Sequence, residues 1–207
     1  MSLRHETPDP SIERTHSDGP RVPARSAVLL MDLQVDFLAP SGARMPVAPQ
    51  DAVRVIKTAN AVLDRDVLPA SIPVLMVNQF PRGARLANFF RHGAAIEGTP
   101  GACLDDRIHA NPATPLFPKQ RASAFSNPEL GNYLKSRDVN HLYVFGVFAE
   151  GCVRATALEA RRRGYAVTVP IDAIGTDSNL KRWFAQWAMG RAGVTFEPSL
   201  LTSKHAA

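Results

Sequence analysis

The sequence has only two cysteines in 207 residues, Cys103 and Cys152, and neither stands at metal-ligand spacing from a second Cys or His. That excludes a disulfide framework and a zinc finger, and points to reduced thiols in a cytoplasmic setting. No apolar run approaches a membrane span and no apolar h-region opens the chain, so neither a membrane nor a secreted protein is expected. Neither G-x-G-x-x-G nor a Walker sequence follows any strand-like run, which leaves a nucleotide-binding protein little support. Acidic residues are the minority, 19 against 24 Lys and Arg, for a formal charge of +5. The basic residues are scattered, and their densest group, Arg161 to Arg163, fits a helix C-terminus without interleaved aromatics. Nucleic acid is therefore not an expected partner.

What is present suffices for one full core, since 45% of the residues are hydrophobic. Residues 1–25 mix Pro, Ser, Thr, Asp, His and Arg with almost nothing apolar and read as a flexible tail. Residues 26–207 read as a single domain. Ser26 to Met31 (SAVLLM) and Pro73 to Val77 (PVLMV) are buried strands, with a helix between them that opens at Asp51 and carries Val53, Ile56, Ala59, Val62 and Leu63. Such a strand, helix, strand unit makes a right-handed crossover in a parallel sheet. A helix after Asn127-Pro128 buries Leu130, Tyr133 and Leu134, and Tyr165 to Pro170 is a further strand. Asn179 to Met189 is helical with Trp183, Phe184 and Trp187 on one face, and Val194 to Phe196 is a short last strand.

The stretch His141 to Gly164 organises the rest. Leu142 to Val147 has the composition of a doubly buried strand. Beyond it Val153, Thr156, Ala157 and Ala160 recur at helical steps, so a helix begins near Gly151 and ends at Gly164. Cys152 thus falls in the first helical turn, at the carboxyl end of a strand, where α/β sheets bind ligands. Free N–H groups there stabilise a thiolate or an oxyanion.

Asp32 ends the first strand at the same sheet edge, and Asp36 reads as serving the loop or helix start instead of the chemistry. Lys119, taken alone, reads as a solvated lysine. The irregular segment from Arg82 to Phe117 reads as a lid and substrate-shaping region, in which Arg82, Arg85 and Arg91 face either a substrate carboxylate or solvent. After the second strand, Asn78-Gln79-Phe80 offers poor metal ligands, and His92 and His109 stand alone.

Four blocks, LLMDLQVDF at 29–37, EGTPGACL at 97–104, KQRASAF at 119–125 and GVFAEGCVRATALEARRRGYAVTVPIDA at 146–173, together resemble the isochorismatase-like cysteine hydrolases. The resemblance runs over about residues 26–196. It implies a three-layer α/β/α fold around a six-stranded, mostly parallel sheet of order 3-2-1-4-5-6. It also implies a catalytic triad of Asp32, Lys119 and Cys152, in which Lys119 keeps Asp32 ionised and favours the thiolate. A cis peptide at Val147–Phe148, with the N–H groups of Phe148 and Cys152 as oxyanion hole, is implied as well. Phe37, Gln79, Arg82, Phe125 and Phe148 are the candidate substrate contacts. Nicotinamidase-type members hold a metal by Asp and His after the second strand; Asn78-Gln79-Phe80 departs from that, so no metal and no other cofactor is expected. The expected partners are a small-molecule substrate and further copies of the chain, as a dimer or tetramer. Retention of Cys152 favours hydrolysis of a C–N bond in an amide, ureido or carbamoyl compound through a thioester. Vinyl-ether hydrolysis using Asp32, and a binding protein without turnover, stay open as alternatives.

Overall fold

The computed structural model describes residues 25–201; apart from Arg25, the expected tail lies outside the described residues. Its first strand, β1 (Ser26–Met31), is buried from Ala27 on, as its unbroken apolar run requires. It runs parallel to β2 (Ile72–Asn78) on one side and to β4 (His141–Val147) on the other. β3 (Leu116–Lys119) adds to β2 as an edge strand and tolerates Pro118 because among the described residues it pairs on one side only. β5 (Ala166–Pro170) pairs with the start of β4, and β7 (Thr195–Glu197) pairs with β5.

The resulting order, β3-β2-β1-β4-β5-β7, is the parallel α/β topology anticipated, with one strand more than expected. The addition is β6 (Ile174–Gly175), which pairs with Gly146 and Val147 after β5 has left the sheet at Pro170. Two residues are too short a run to register as a strand in a sequence pattern.

Helix α1 (Val35–Leu38) is a single turn after β1, and α2 (Pro49–Leu63) packs against β4 and β6. α2 buries Ala52, Val55, Ile56, Ala59 and Val62, whereas Val53, expected on that face, is 63% exposed. α3 (Arg85–Phe90) lies in the irregular segment, and α4 (Pro128–Lys135) buries Leu130 and Leu134. α5 (Arg154–Arg162) packs on β4, β5 and α6 (Asn179–Arg191). Asp51 of α2, buried, bonds Arg54, Arg182 and the N–H of Thr176, which fixes α6 and β6 to α2.

Register decides where chemistry can occur. Met31 lies beside both Met76 and Gly146, and Asn78 beside Lys119, so four strands present their carboxyl ends together. Gly146 has φ +120, and a Cβ there would collide with the Met31 carbonyl. Only glycine lets β4 press on β1 at the point where Asp32 departs.

Candidate active site

Asp32 follows β1 in the left-handed region, φ +55, its N–H bonded to the Met76 carbonyl at 2.8 Å. A non-glycine residue there carries backbone strain of a kind that gathers at functional sites. Gln34, fully buried, holds this exit to the end of β2. Its Nε2 donates to the carbonyls of Asn78 (2.8 Å) and Ala102 (2.7 Å), and its Oε1 accepts from the Asn78 N–H at 2.8 Å.

Lys119 is the centre of the arrangement. Its side chain is 0% exposed, and its Nζ donates to Asp32 Oδ2 at 3.0 Å, Asn78 Oδ1 at 2.6 Å and Cys152 Sγ at 3.2 Å, with the Arg121 carbonyl at 3.4 Å. The expectation of a solvated lysine, from the residue alone, is thereby corrected. A buried ammonium needs its donors used, and three acceptors on three strand ends use them. Because Asn78 turns its oxygen to the ammonium, its Nδ2 faces Cys152 Sγ at 3.9 Å. Asn78, passed over in the sequence except as a poor metal ligand, is part of the cluster.

Cys152 does not sit in the first turn of a regular helix. Ala149–Val153 forms a wide, π-type turn in which Gly151 is non-helical (φ −100, ψ −107), and α5 begins only at Arg154. The peptide bond Val147–Phe148 preceding that turn is cis. Burial, and next the Asp32 carboxylate, push the Cys152 thiol up to about 12, against the pull of Lys119. Burial and the facing carboxylate thus work against the thiolate that the sequence position and Lys119 lead one to expect. Burial likewise raises Asp32 above its usual range, with Lys119 opposing the shift. For Lys119, burial works against the charge, but the facing Asp32 and Cys152 outweigh it and the net shift is upward. Asp32 Oδ1 is buried without a nitrogen or hydroxyl donor, and the Cys152 thiol lies within reach of that carboxylate.

Cys152 opens into a cavity of about 270 Å³ with an apolar wall of Phe37, Met45, Phe80 and Phe148. The rings of Phe37 and Phe148 meet edge to face at 5.5 Å. Asn78, Arg91 and Glu150 supply its polar groups. Of the five candidate substrate contacts, Phe37 and Phe148 are at this cavity and three are not. Gln79 points away because neighbours at a strand end alternate and Asn78 faces the sulfur; Gln79 lines two other hollows. Arg82 is bonded to the carbonyls of Glu97 and Gly98. Phe125 stacks on Tyr165 at 5.8 Å, with the Arg163 guanidinium 4.6 Å above it, in a hollow beside α4. Phe80 and Glu150 were legible only as neighbours of the strand end and of Cys152.

Asp36 is buried and accepts from the Ala95 N–H at 2.8 Å, so it holds the irregular segment to α1, in keeping with its loop role. A divalent metal does not fit the exit of β2. Asn78 is committed to Lys119 and Cys152, and among the described residues no three His, Cys, Asp or Glu side chains converge. No helix among the described residues is long and apolar enough to cross a membrane.

The strand order and the cluster at its carboxyl edge define an α/β protein of the isochorismatase-like kind, and sequence comparison agrees. The pattern described as the isochorismatase domain matches residues 26–196, so the chain belongs to the isochorismatase family. A streptothricin hydrolase of Streptomyces noursei is 32% identical over 150 residues, covering 72% of this chain and 54% of that protein. The chain spans about half the length of the two streptothricin hydrolases it matches. An N-carbamoylsarcosine amidase of an Arthrobacter species is 38% identical over 74 residues, which are 36% of this chain and 28% of that one. Among solved structures, an L. infantum protein in complex with nicotinate superposes with TM-score 0.73 at 25% identity, over 84% of this chain and 92% of that chain.

Proposed function

We propose that the chain is a cysteine hydrolase that cleaves a C–N bond of a small amide, ureido or carbamoyl compound through a Cys152 thioester, with no metal in the reaction. One observation carries the reading: a buried ammonium, Lys119, bonded at once to a carboxylate (3.0 Å) and a thiol sulfur (3.2 Å) at the edge of an apolar cavity. Nucleophile, base and orienting group in mutual contact are the pattern of covalent catalysis. The amidase and hydrolase names of the relatives support the same class.

The roles follow from the resting protonation. Cys152 Sγ attacks the amide carbon while its proton passes to Asp32; Lys119 holds the carboxylate ionised beforehand and stabilises negative charge on sulfur during transfer. The carbonyl oxygen becomes an oxyanion, assigned to the backbone N–H groups of Phe148 and Cys152, each such donor contributing about 3 kcal/mol. Asp32 returns the proton to the leaving nitrogen, the C–N bond breaks and a thioester remains. Water then adds to the thioester with its proton going to Asp32, and that proton goes back to sulfur as the acid leaves. Asn78 fixes the ammonium and offers a second donor to sulfur.

The test is amine release from a panel of small amides and ureido acids by wild type and Cys152→Ala. Loss of release in the variant is expected. Full retention would contradict the thioester route and favour direct attack on the amide by water activated by Asp32.

A further inference from the structure

Resting on the hydrolase reading above, we infer that the substrate is a carboxylate-bearing amide or ureide, and that Arg91 receives its carboxylate. Three arginines of the irregular segment are candidates by sequence, and the structure separates them. Arg82 is spent on two backbone carbonyls, and Arg85 does not reach the cavity. Arg91 lies in the cavity wall with its guanidinium 3.7 Å above the Phe80 ring. Among the described residues its side chain has no hydrogen bond or ion pair. Stacking fixes the plane of a guanidinium and leaves its edge donors open for a planar oxyanion.

The charges around the cavity restrict where an anion can sit. Asp32 and Lys119 compensate each other. Glu150, on the turn of the nucleophile, has Lys181 at 3.8 Å, although Lys181 is also bonded to Asp177 at 2.8 Å. Glu150 Oε2 is buried without a hydrogen-bond partner among the described residues, so a substrate carboxylate sits by Phe80 on the open edge of Arg91 and away from Glu150. The segment is set for this without closing. Phe80 and Ala95 are joined N–H to carbonyl at 2.9 Å, the Glu97 N–H returns to the Phe80 carbonyl at 3.0 Å, and Asp36 holds Ala95. A prearranged guanidinium loses little entropy on binding.

The probe pair is succinamate and succinamide, which differ by a carboxylate against a neutral carboxamide. Calorimetric titration uses Cys152→Ala protein, which cannot form the thioester, alone and combined with Arg91→Gln or Arg91→Lys. Succinamate is expected to bind tighter than succinamide by about ten-fold or more, with the preference abolished by Arg91→Gln, partly kept by Arg91→Lys and weakened by salt. Equal binding of the two, binding of neither, or a preference that survives Arg91→Gln would overturn the inference. Turnover by wild type is scored separately. A preference dependent on Arg91 without any amide hydrolysis would leave the anion site standing and sink the hydrolase reading. Hydrolysis confined to neutral amides would do the reverse.

Discussion

Lys119 Nζ and Asp32 Oδ2 lie 3.0 Å apart with both side chains essentially removed from solvent, 0% and 1% exposed. A pair so placed is held by each member's need for the other. Lys119→Met is therefore expected to abolish activity and to destabilise the fold by about 3–5 kcal/mol, because Asp32 is left charged and buried alone. Adding Asp32→Asn to Lys119→Met should restore most of that stability but none of the activity. Urea midpoints of the single and double variants check this; a double variant no more stable than Lys119→Met would contradict it.

The pH profile follows from the same pair. Hydrolysis needs Asp32 ionised, and burial raises Asp32 above its usual value of 3.8. Activity should thus fall as pH falls through a value above that figure. Lys119 lowers the Asp32 shift, so Lys119→Arg, which keeps a cation with altered geometry, should leave an acid limb that is displaced and a reduced rate. On the alkaline side, Lys119 holds its proton beyond the usual lysine value of 10.5, so that limb lies above it. A wild-type kcat/KM profile with its acid limb below the ordinary Asp range would count against the assignment of Asp32 as base.

Cys152 resting as a thiol has its own signature. With the thiol pushed up to about 12, the thiolate fraction grows about ten-fold per pH unit throughout the neutral range. Alkylation of Cys152 by iodoacetamide, followed on the isolated peptide, should rise with that slope from about pH 6 to about pH 9 without a plateau. A plateau at neutral pH would show a preformed thiolate and contradict the proton transfer to Asp32.

Asn78 turns its oxygen to Lys119 at 2.6 Å and its nitrogen to Cys152 at 3.9 Å. Asn78→Ala should lower kcat by about ten- to a hundred-fold, from a loosened ammonium and a lost donor. Asn78→Asp should be worse, since a second carboxylate competes for Lys119 and opposes charge on sulfur, and its alkylation by iodoacetamide should be slower than wild type at every pH. Equal kinetics for wild type and Asn78→Ala would remove the residue from the mechanism.

Much of this is legible in the sequence, for identifiable reasons. Asp32 and Cys152 stand where apolar strands end, so strand pattern alone brings them to one sheet edge. Lys119 could be placed there only through the resemblance, because a lysine in a Phe-Pro-Lys run looks solvated until its neighbours are known. Asn78 and Gln34 escaped since neutral amides at a strand exit resemble loop formers, and their use depends on a register that no local pattern encodes. Phe125 lies away from the cavity because its short turn, tied by the Ala124 N–H to Thr156 at 2.9 Å, swings the ring toward Tyr165. The sequence puts Trp183, Phe184 and Trp187 on one face of α6 without saying where it turns; Trp183 and Trp187 are 62% and 49% exposed while Ala185 and Met189 do the packing. Small residues let α6 approach its neighbours, and periodicity does not say which of two apolar faces turns inward.

The central claim is a covalent bond between substrate carbon and Cys152 sulfur. It is tested most directly by acid-quenching the wild-type protein during turnover of an amide it hydrolyses and weighing the Cys152 peptide. The account predicts an added acyl mass on that peptide, absent in Cys152→Ala, unreactive toward alkylation and gone when the quench follows exhaustion of the substrate. Hydrolysis proceeding with the Cys152 peptide unmodified, and surviving Cys152→Ala, would contradict it.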